Sequence, residues 1–243
     1  NILKKKGKIP IVCLTAYSKS TSLILDKYCD IILVGDSLGM TLYGMKSTRD
    51  VELETMIAHG RAVKNYSKKS LVVFDMPYKT YSNKYIAYKN VKKVIKITKC
   101  DAVKLEGGKK IVSIVKYLTS KGIPVMGHVG LLPQYSKNFK VKGKKSLQKK
   151  RILNDAMLIS NAGAFSIVIE CVVESLAKEI TKKIPVPTIG IGASKYCDGQ
   201  ILVIDDLIGL NTSKIKFVKK FGNIKKNIRE AVYKFKKEVL LKK

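Results

Sequence analysis

Short apolar, β-branched runs recur along the chain at residues 9–16, 30–36, 70–77, 101–107, 124–130, 166–171, 186–192 and 201–205. Between most of them lie longer polar stretches whose apolar residues return every three or four positions, the spacing of a helix face. Met56, Ile57, Ala62 and Val63 share one such face, and Val91, Val94, Ile95 and Thr98 share another. A third holds Leu147, Ile152, Leu153, Ala156 and Ile159, with Asn161, Ala162 and Gly163 as its stop signal. Runs that are apolar on both faces predict strands buried on both sides. Strands alternating with helices predict parallel βα units, and eight such units in a chain of this length predict an α/β fold of the (β/α)8, or TIM, barrel type. The competitor is an open doubly wound sheet, which carries a glycine-rich loop after its first strand. The first run here ends instead in Thr15, Ala16, Tyr17 and Ser18. No long linker divides the chain, so residues 1–243 are expected to form one barrel domain. The lysine-rich segment 137–149 lacks a period and predicts a surface loop. The tail, 214–243, predicts a terminal helix striped by Ile224, Ile228, Ala231, Val232 and Phe235, docked on the barrel or serving a subunit contact.

Composition narrows the functional classes. With 46% hydrophobic residues over 243 positions there is ample material for a core. No apolar run approaches the roughly 20 residues a membrane-spanning helix needs. The opening residues have no long apolar stretch after their lysines, and the five cysteines form no CxxC pair. A cytoplasmic, reducing location is therefore expected. The net charge of +30 raises nucleic-acid binding. Yet 44 of the 48 basic residues are lysines, dispersed along the chain, beside 27 isoleucines and only 11 alanines. Arginine is the residue suited to bidentate phosphate and base recognition. A drift toward A/T-rich codons explains the pattern better than a specific nucleic-acid role. The tyrosines at 78, 81, 85 and 88 read the same way, as helix packing plus codon bias, ahead of the alternative of a base-stacking ladder for nucleic acid.

The chemistry gathers where the apolar runs end. Asp36, Asp75, Glu106, His128 and Glu170 each follow such a run. In a parallel barrel these C-terminal ends converge on one face, where catalytic groups sit. One aspartate could simply cap the next helix; four acids and a histidine on five consecutive strands are harder to explain that way. Crowded, buried carboxylates repel one another unless a cation is present. An all-oxygen set suits Mg²⁺ first and Mn²⁺ second. Lys104 lies two residues before Glu106 and so points to the same side of its strand. A lysine there needs an anion, either a substrate carboxylate or a neighbouring acid. His59, within the expected helix 52–65, reads as a surface or packing residue.

These segments resemble the ketopantoate hydroxymethyltransferase family: DIILVGDSLGM at 30–40, VVFDMP at 72–77, DAVKLEGG at 101–108, PVMGHVG at 124–130 and TIGIGA at 188–193. TAY at 15–17, AFSIVIEC at 164–171 and CDGQ at 197–200 extend the match. The resemblance implies a (β/α)8 barrel of the phosphoenolpyruvate/pyruvate superfamily. It implies transfer of a one-carbon unit from 5,10-methylenetetrahydrofolate to 3-methyl-2-oxobutanoate through a metal-stabilised enolate, giving ketopantoate for pantothenate biosynthesis. It further implies Asp36, Asp75 and Glu106 as the metal acids, and Asp36, Ser37, Asp75 and Lys104 as contacts of the keto acid. Glu170 is implied as the base and His128 as a residue near the substrate. Assembly as a homo-oligomer, a decamer in the family, is also implied.

Several positions depart from the family pattern. Ser18 replaces an aspartate, Leu132 a threonine, Lys142 a glutamine and Ser194 a glycine. They fall in loops and bear on folate affinity more than on reaction type. Two other functions compete. A carbon–carbon lyase of the same superfamily would need a cysteine after the fourth strand, and residues 107–111 have none. A polyanion binder would show salt-sensitive nucleic-acid binding and no metal-dependent turnover.

Overall fold

In the computed structural model, which describes residues 2–136, 140–211 and 218–241, eight parallel strands close into a barrel in sequence order. They are β1 (Ile11–Thr15), β2 (Ile31–Val34), β3 (Leu71–Asp75), β4 (Ala102–Glu106), β5 (Val125–Gly130), β6 (Ser166–Glu170), β7 (Thr188–Ile191) and β8 (Gly199–Leu202). The connecting helices are α1 (Lys19–Leu25), α2 (Leu38–Thr41), α3 (Leu53–Lys64), α4 (Lys84–Thr98), α5 (Val112–Ser120), α6 (Ser146–Asn161) and α7 (Glu174–Lys183). After β8 come the short α8 (Ile204–Leu207) and α9 (Ile224–Leu241).

Successive side chains on a strand point to opposite faces. One face of every strand feeds a single cluster inside the barrel: Ile11 and Cys13, Ile31 and Leu33, Val73, Ala102, Met126, Val168, Ile189 and Ile201. Two residues further along those inward rows stand Asp75, Lys104, His128 and Glu170. The inward face thus changes from apolar to charged as each strand approaches its C-terminal end. The outward positions, among them Val72, Phe74, Val103, Leu105, Val125, Ile167 and Ile169, are also buried. That two-sided burial is why the runs read as continuously apolar.

The helix faces follow the expected periods with local exceptions. α3 buries Met56, Ile57, Gly60 and Val63, and α4 buries Ala87, Val91, Val94 and Thr98. In α6, Ile152, Ala156 and Ile159 are buried, but Leu147 is 82% exposed. Ser146 begins that helix, so the loop expected over 137–149 ends before its lysines do; residues 137–139 lie outside the described set. The eighth strand is also corrected. It spans Gly199–Leu202, not 201–205, and Asp205 lies in a helical turn. Gly199 opens the strand, and a Cβ there would meet the Ile11 carbonyl at 2.5 Å. It is a strand glycine of close approach, not a turn.

Contacts divide the chain into two compact units, Asn1–Ile201 and Leu202–Lys243. In the second, the Phe221 N–H donates to the Leu207 carbonyl at 2.8 Å and the Ile224 N–H to that of Ile208 at 2.9 Å. No residue of α9 is buried, and Val232 and Phe235 are 60% and 68% exposed. The tail expected over 214–243 is helical from Ile224; residues 212–217 and 242–243 lie outside the described set. Among the described residues no helix is long and apolar enough to cross a membrane. All five cysteines are free and buried.

Candidate active site

Parallel register brings the charged strand ends together. Asp75 is paired with Lys104, Glu106 with His128, and Gly130 with Glu170. Gly130 has φ +98°, and a Cβ there would meet the Glu170 carbonyl at 2.4 Å, so only glycine lets β5 end this close to β6. Asp36 lies two residues beyond β2, and its N–H donates to Asp75 Oδ2 at 3.4 Å. Asp36, Asp75, Lys104, Glu106 and His128 are all at most 5% exposed.

In this structure the Lys104 ammonium meets neighbouring acids. Its Nζ donates to both oxygens of Asp75 at 2.8 Å and lies 3.7 Å from Glu106 Oε1. Burial opposes its charge, but Asp75, Glu106 and Asp36 hold its pKa above the ordinary lysine value. His128 lies between two acids, Nδ1 3.4 Å from Glu106 Oε1 and Nε2 3.2 Å from Glu170 Oε2. Neither contact has hydrogen-bond alignment, so both ring nitrogens are buried without an aligned hydrogen-bond partner among the described residues. Burial and Lys104 work against the imidazolium, yet Glu106 and Glu170 raise its pKa to about 9. Burial raises Glu106, but His128 and Lys104 more than offset it and leave this carboxyl below its usual range. Asp36 is pushed well above that range by burial and by the charges of Asp75 and Glu106. Asp75 is raised too, by burial, in spite of Lys104.

These internal cations supply part of the counter-charge that the crowded acids require. Among the described residues Lys104 and His128 are the cations paired with these acids, and Asp36 is the one acid that pairs with neither. Among the described residues no three His, Cys, Asp or Glu side chains are gathered closely enough to cage an ion. Mg²⁺ seldom uses such a cage; one or two carboxylates commonly hold it, with water and substrate completing the shell. Asp36 and Asp75, adjacent and buried, fit that description, and of the two Asp36 is the one that Lys104 does not pair. Glu106 is engaged by His128, Lys104 and the Gln134 N–H.

Ser37 stands at the rim. Its hydroxyl lies 2.8 Å from that of Tyr17, which in turn accepts from Thr15 at 2.9 Å. His59, half-buried, lies with Nδ1 2.6 Å from the Tyr17 carbonyl and Nε2 3.0 Å from the Tyr43 hydroxyl. Asp36 does not cap α2; its Oδ2 accepts from Gln134 Nε2 at 2.8 Å. Glu170, 13% exposed, is the most open of the four acids. Two site residues escaped the sequence reading. Tyr81 is not a helix-packing residue: it precedes α4, is 2% exposed, and turns its hydroxyl into the cluster, donating to Gln134 Oε1. Gln134 itself is fully buried. Neither ends an apolar run, so periodicity could not mark them.

Of the family departures, Ser18 caps α1 by accepting from the Thr21 N–H, and Lys142 uses its backbone to join Cys171 and Val173. Ser194 is buried at 6%. Leu132 is the residue before the turn that holds Gln134.

The fold has well-matched relatives among solved structures. A 2,3-dimethylmalate lyase, described as a PEP mutase/isocitrate lyase superfamily member, superposes with TM-score 0.66 at 13% identity, over 97% of this chain and 85% of its own. A phosphonopyruvate hydrolase gives 0.66 at 12% identity, over 86% and 82%. Sequence relatives are far closer. The 3-methyl-2-oxobutanoate hydroxymethyltransferase of Pelagibacter ubique (strain HTCC1062) is 58% identical over 99% of this chain and 93% of its own. That of Anaplasma marginale (strain Florida) is 50% identical over 96% and 85%. The ketopantoate hydroxymethyltransferase family model matches residues 1–243, so the chain belongs to that family.

Proposed function

We propose that the family's reaction, transfer of a hydroxymethyl group to 3-methyl-2-oxobutanoate in pantothenate biosynthesis, runs at the charged mouth of this barrel with Glu170 as its base. The observation that carries this reading is the switch of the inward face from apolar to charged at the ends of β3 to β6. A 2-oxo acid brings a carboxylate and a keto oxygen, which Lys104 and His128 at these strand ends can meet with positive charge. Asp36 and Asp75 would hold Mg²⁺, or Mn²⁺, with Glu106 beside them. A divalent cation there would draw electron density from the keto acid and acidify the proton at C3. Ser37, Lys104 and the unaligned ring nitrogens of His128 are the groups available to bind and orient the keto acid. Glu170 is free to take the C3 proton, because His128 braces it from one side only and it alone of the acids reaches toward solvent. The C3 carbon that Glu170 deprotonates attacks the one-carbon unit, which 5,10-methylenetetrahydrofolate is inferred to supply, and water then replaces the folate nitrogen on the transferred carbon, giving the hydroxymethyl group and releasing tetrahydrofolate. Copies of the chain are inferred to assemble, and the apolar stripe of α9 supports that reading.

Glu170→Gln separates the base from the metal acids. The variant is expected to keep Mg²⁺ and 3-methyl-2-oxobutanoate binding but to lose C3 proton exchange by roughly 10²–10⁴-fold, the usual worth of a positioned base. Exchange read by proton NMR needs no folate. A wild-type exchange rate in the variant would move the base to His128. Loss of the metal would place Glu170 among the ligands instead.

A further inference from the structure

Gln134 follows Pro133 in the single 3-10 turn Pro133–Tyr135 beyond β5. Its contacts reach four other segments. Its N–H donates to Glu106 Oε2 at 3.1 Å, at the end of β4. Its Nε2 donates to Asp36 Oδ2 at 2.8 Å, beyond β2, and to the Met76 carbonyl at 3.0 Å, beyond β3. Its Oε1 accepts from Tyr81, and its own carbonyl accepts from Arg49 Nε at 2.9 Å. The orientation of the amide is thereby determined. The Met76 carbonyl can only accept, so a flipped amide would set oxygen against oxygen there and waste the Tyr81 O–H.

Asp36 needs such a brace. It lies outside the strand ladder, and among the described residues no donor is bonded to its Oδ1. A flexible carboxylate beyond a strand end would lose entropy on gripping an ion. Gln134 fastens one oxygen and leaves the other for a cation.

We infer that Gln134, locked by the Tyr81 hydroxyl, is a positioning residue that holds the Asp36 carboxylate ready for the divalent ion. This rests on the reading of Asp36 and Asp75 as the metal acids. Partners that orient a metal's ligands are typically worth 10–100-fold in metal affinity.

The test titrates Mg²⁺ alone into folded protein by calorimetry. Gln134→Met keeps the volume and removes both donors. Its Mg²⁺ affinity is expected to fall roughly 10–100-fold. Excess Mg²⁺ should then restore the C3 exchange kcat, because Glu170 is untouched. Tyr81→Phe keeps the amide and unlocks it, and a smaller loss in the same direction is expected. A merely structural role would lower the melting temperature and kcat without a rescue by Mg²⁺. Unchanged Mg²⁺ affinity in both variants overturns the inference. If Gln134→Met does not fold, Tyr81→Phe decides alone. If the wild type binds no Mg²⁺, the metal reading of Asp36 and Asp75 fails first and this inference falls with it.

Discussion

Asp75 serves two cations at once in this reading, Lys104 through both its oxygens and the divalent ion beside Asp36. Asp75→Asn keeps the shape but exchanges a hard anionic ligand for a neutral amide. Mg²⁺ affinity is expected to fall at least tenfold by calorimetry, and an unchanged affinity would remove Asp75 from the ligand set. The fold should persist, since Glu106 remains near Lys104. At this scale the sequence announces a residue when its strand does. Asp75, Lys104, His128 and Glu170 were legible because each continues a period-two row that had been apolar, and Glu106 because it ends the same apolar strand two residues after Lys104. The Lys104 partner was not legible, because which acid lies across the ladder depends on register. Gln134 and Tyr81 were illegible for a different reason. Each sits in an irregular connection, where position comes from tertiary hydrogen bonds and not from a repeating pattern.

The strands were the most readable elements, because burial on both sides leaves a continuous apolar signature. β8 was the exception. Its first residue is a glycine, and the preceding Asp198 looks like turn chemistry. Asp198 in fact ties three parts of the barrel seam. Its carboxylate accepts from the Thr188 N–H at 2.8 Å and the Gly7 N–H at 2.9 Å, and pairs with Lys6 at 2.8 Å. Its carbonyl accepts from Ile11, at the start of β1. Burial opposes its charge, but these donors hold its pKa below the ordinary aspartate value. A depressed folded pKa contributes stability that is fully present above the unfolded value of about 3.9 and is lost as pH falls through the folded value. Asp198→Asn should therefore cost about 1–3 kcal/mol at pH 7. The gap between the two melting curves should close as pH drops below about 4. A pH-independent gap would mean that packing, not charge, is what the aspartate supplies.

At the scale of the molecule, barrel closure followed from counting strands, whereas the division at Ile201 had no mark in composition. The charge of +30 is the remaining whole-molecule property, and the structure bears on how it acts. Many lysines lie over tyrosine rings: Lys19 over Tyr66 at 4.7 Å, Lys84 over Tyr85 at 5.1 Å, Lys92 over Tyr88 at 5.5 Å and Lys178 over Tyr196 at 4.2 Å. Tyr85 and Tyr88 meet Tyr117 edge-on, at interplanar angles of 67° and 77°. A base-stacking ladder needs open ring faces with cations tracking a backbone; here the faces are occupied and the lysines are spread over separate helices. Diffuse charge still attracts polyanions through counterion release, so binding is expected, at roughly 10⁻⁴–10⁻⁶ M and falling steeply with salt. Fluorescence anisotropy with several unrelated DNA and RNA oligonucleotides should give similar affinities. Sub-micromolar preference for one sequence at physiological salt would require a shaped site that dispersed lysines do not make, and would return nucleic-acid recognition to consideration beside the transferase reaction.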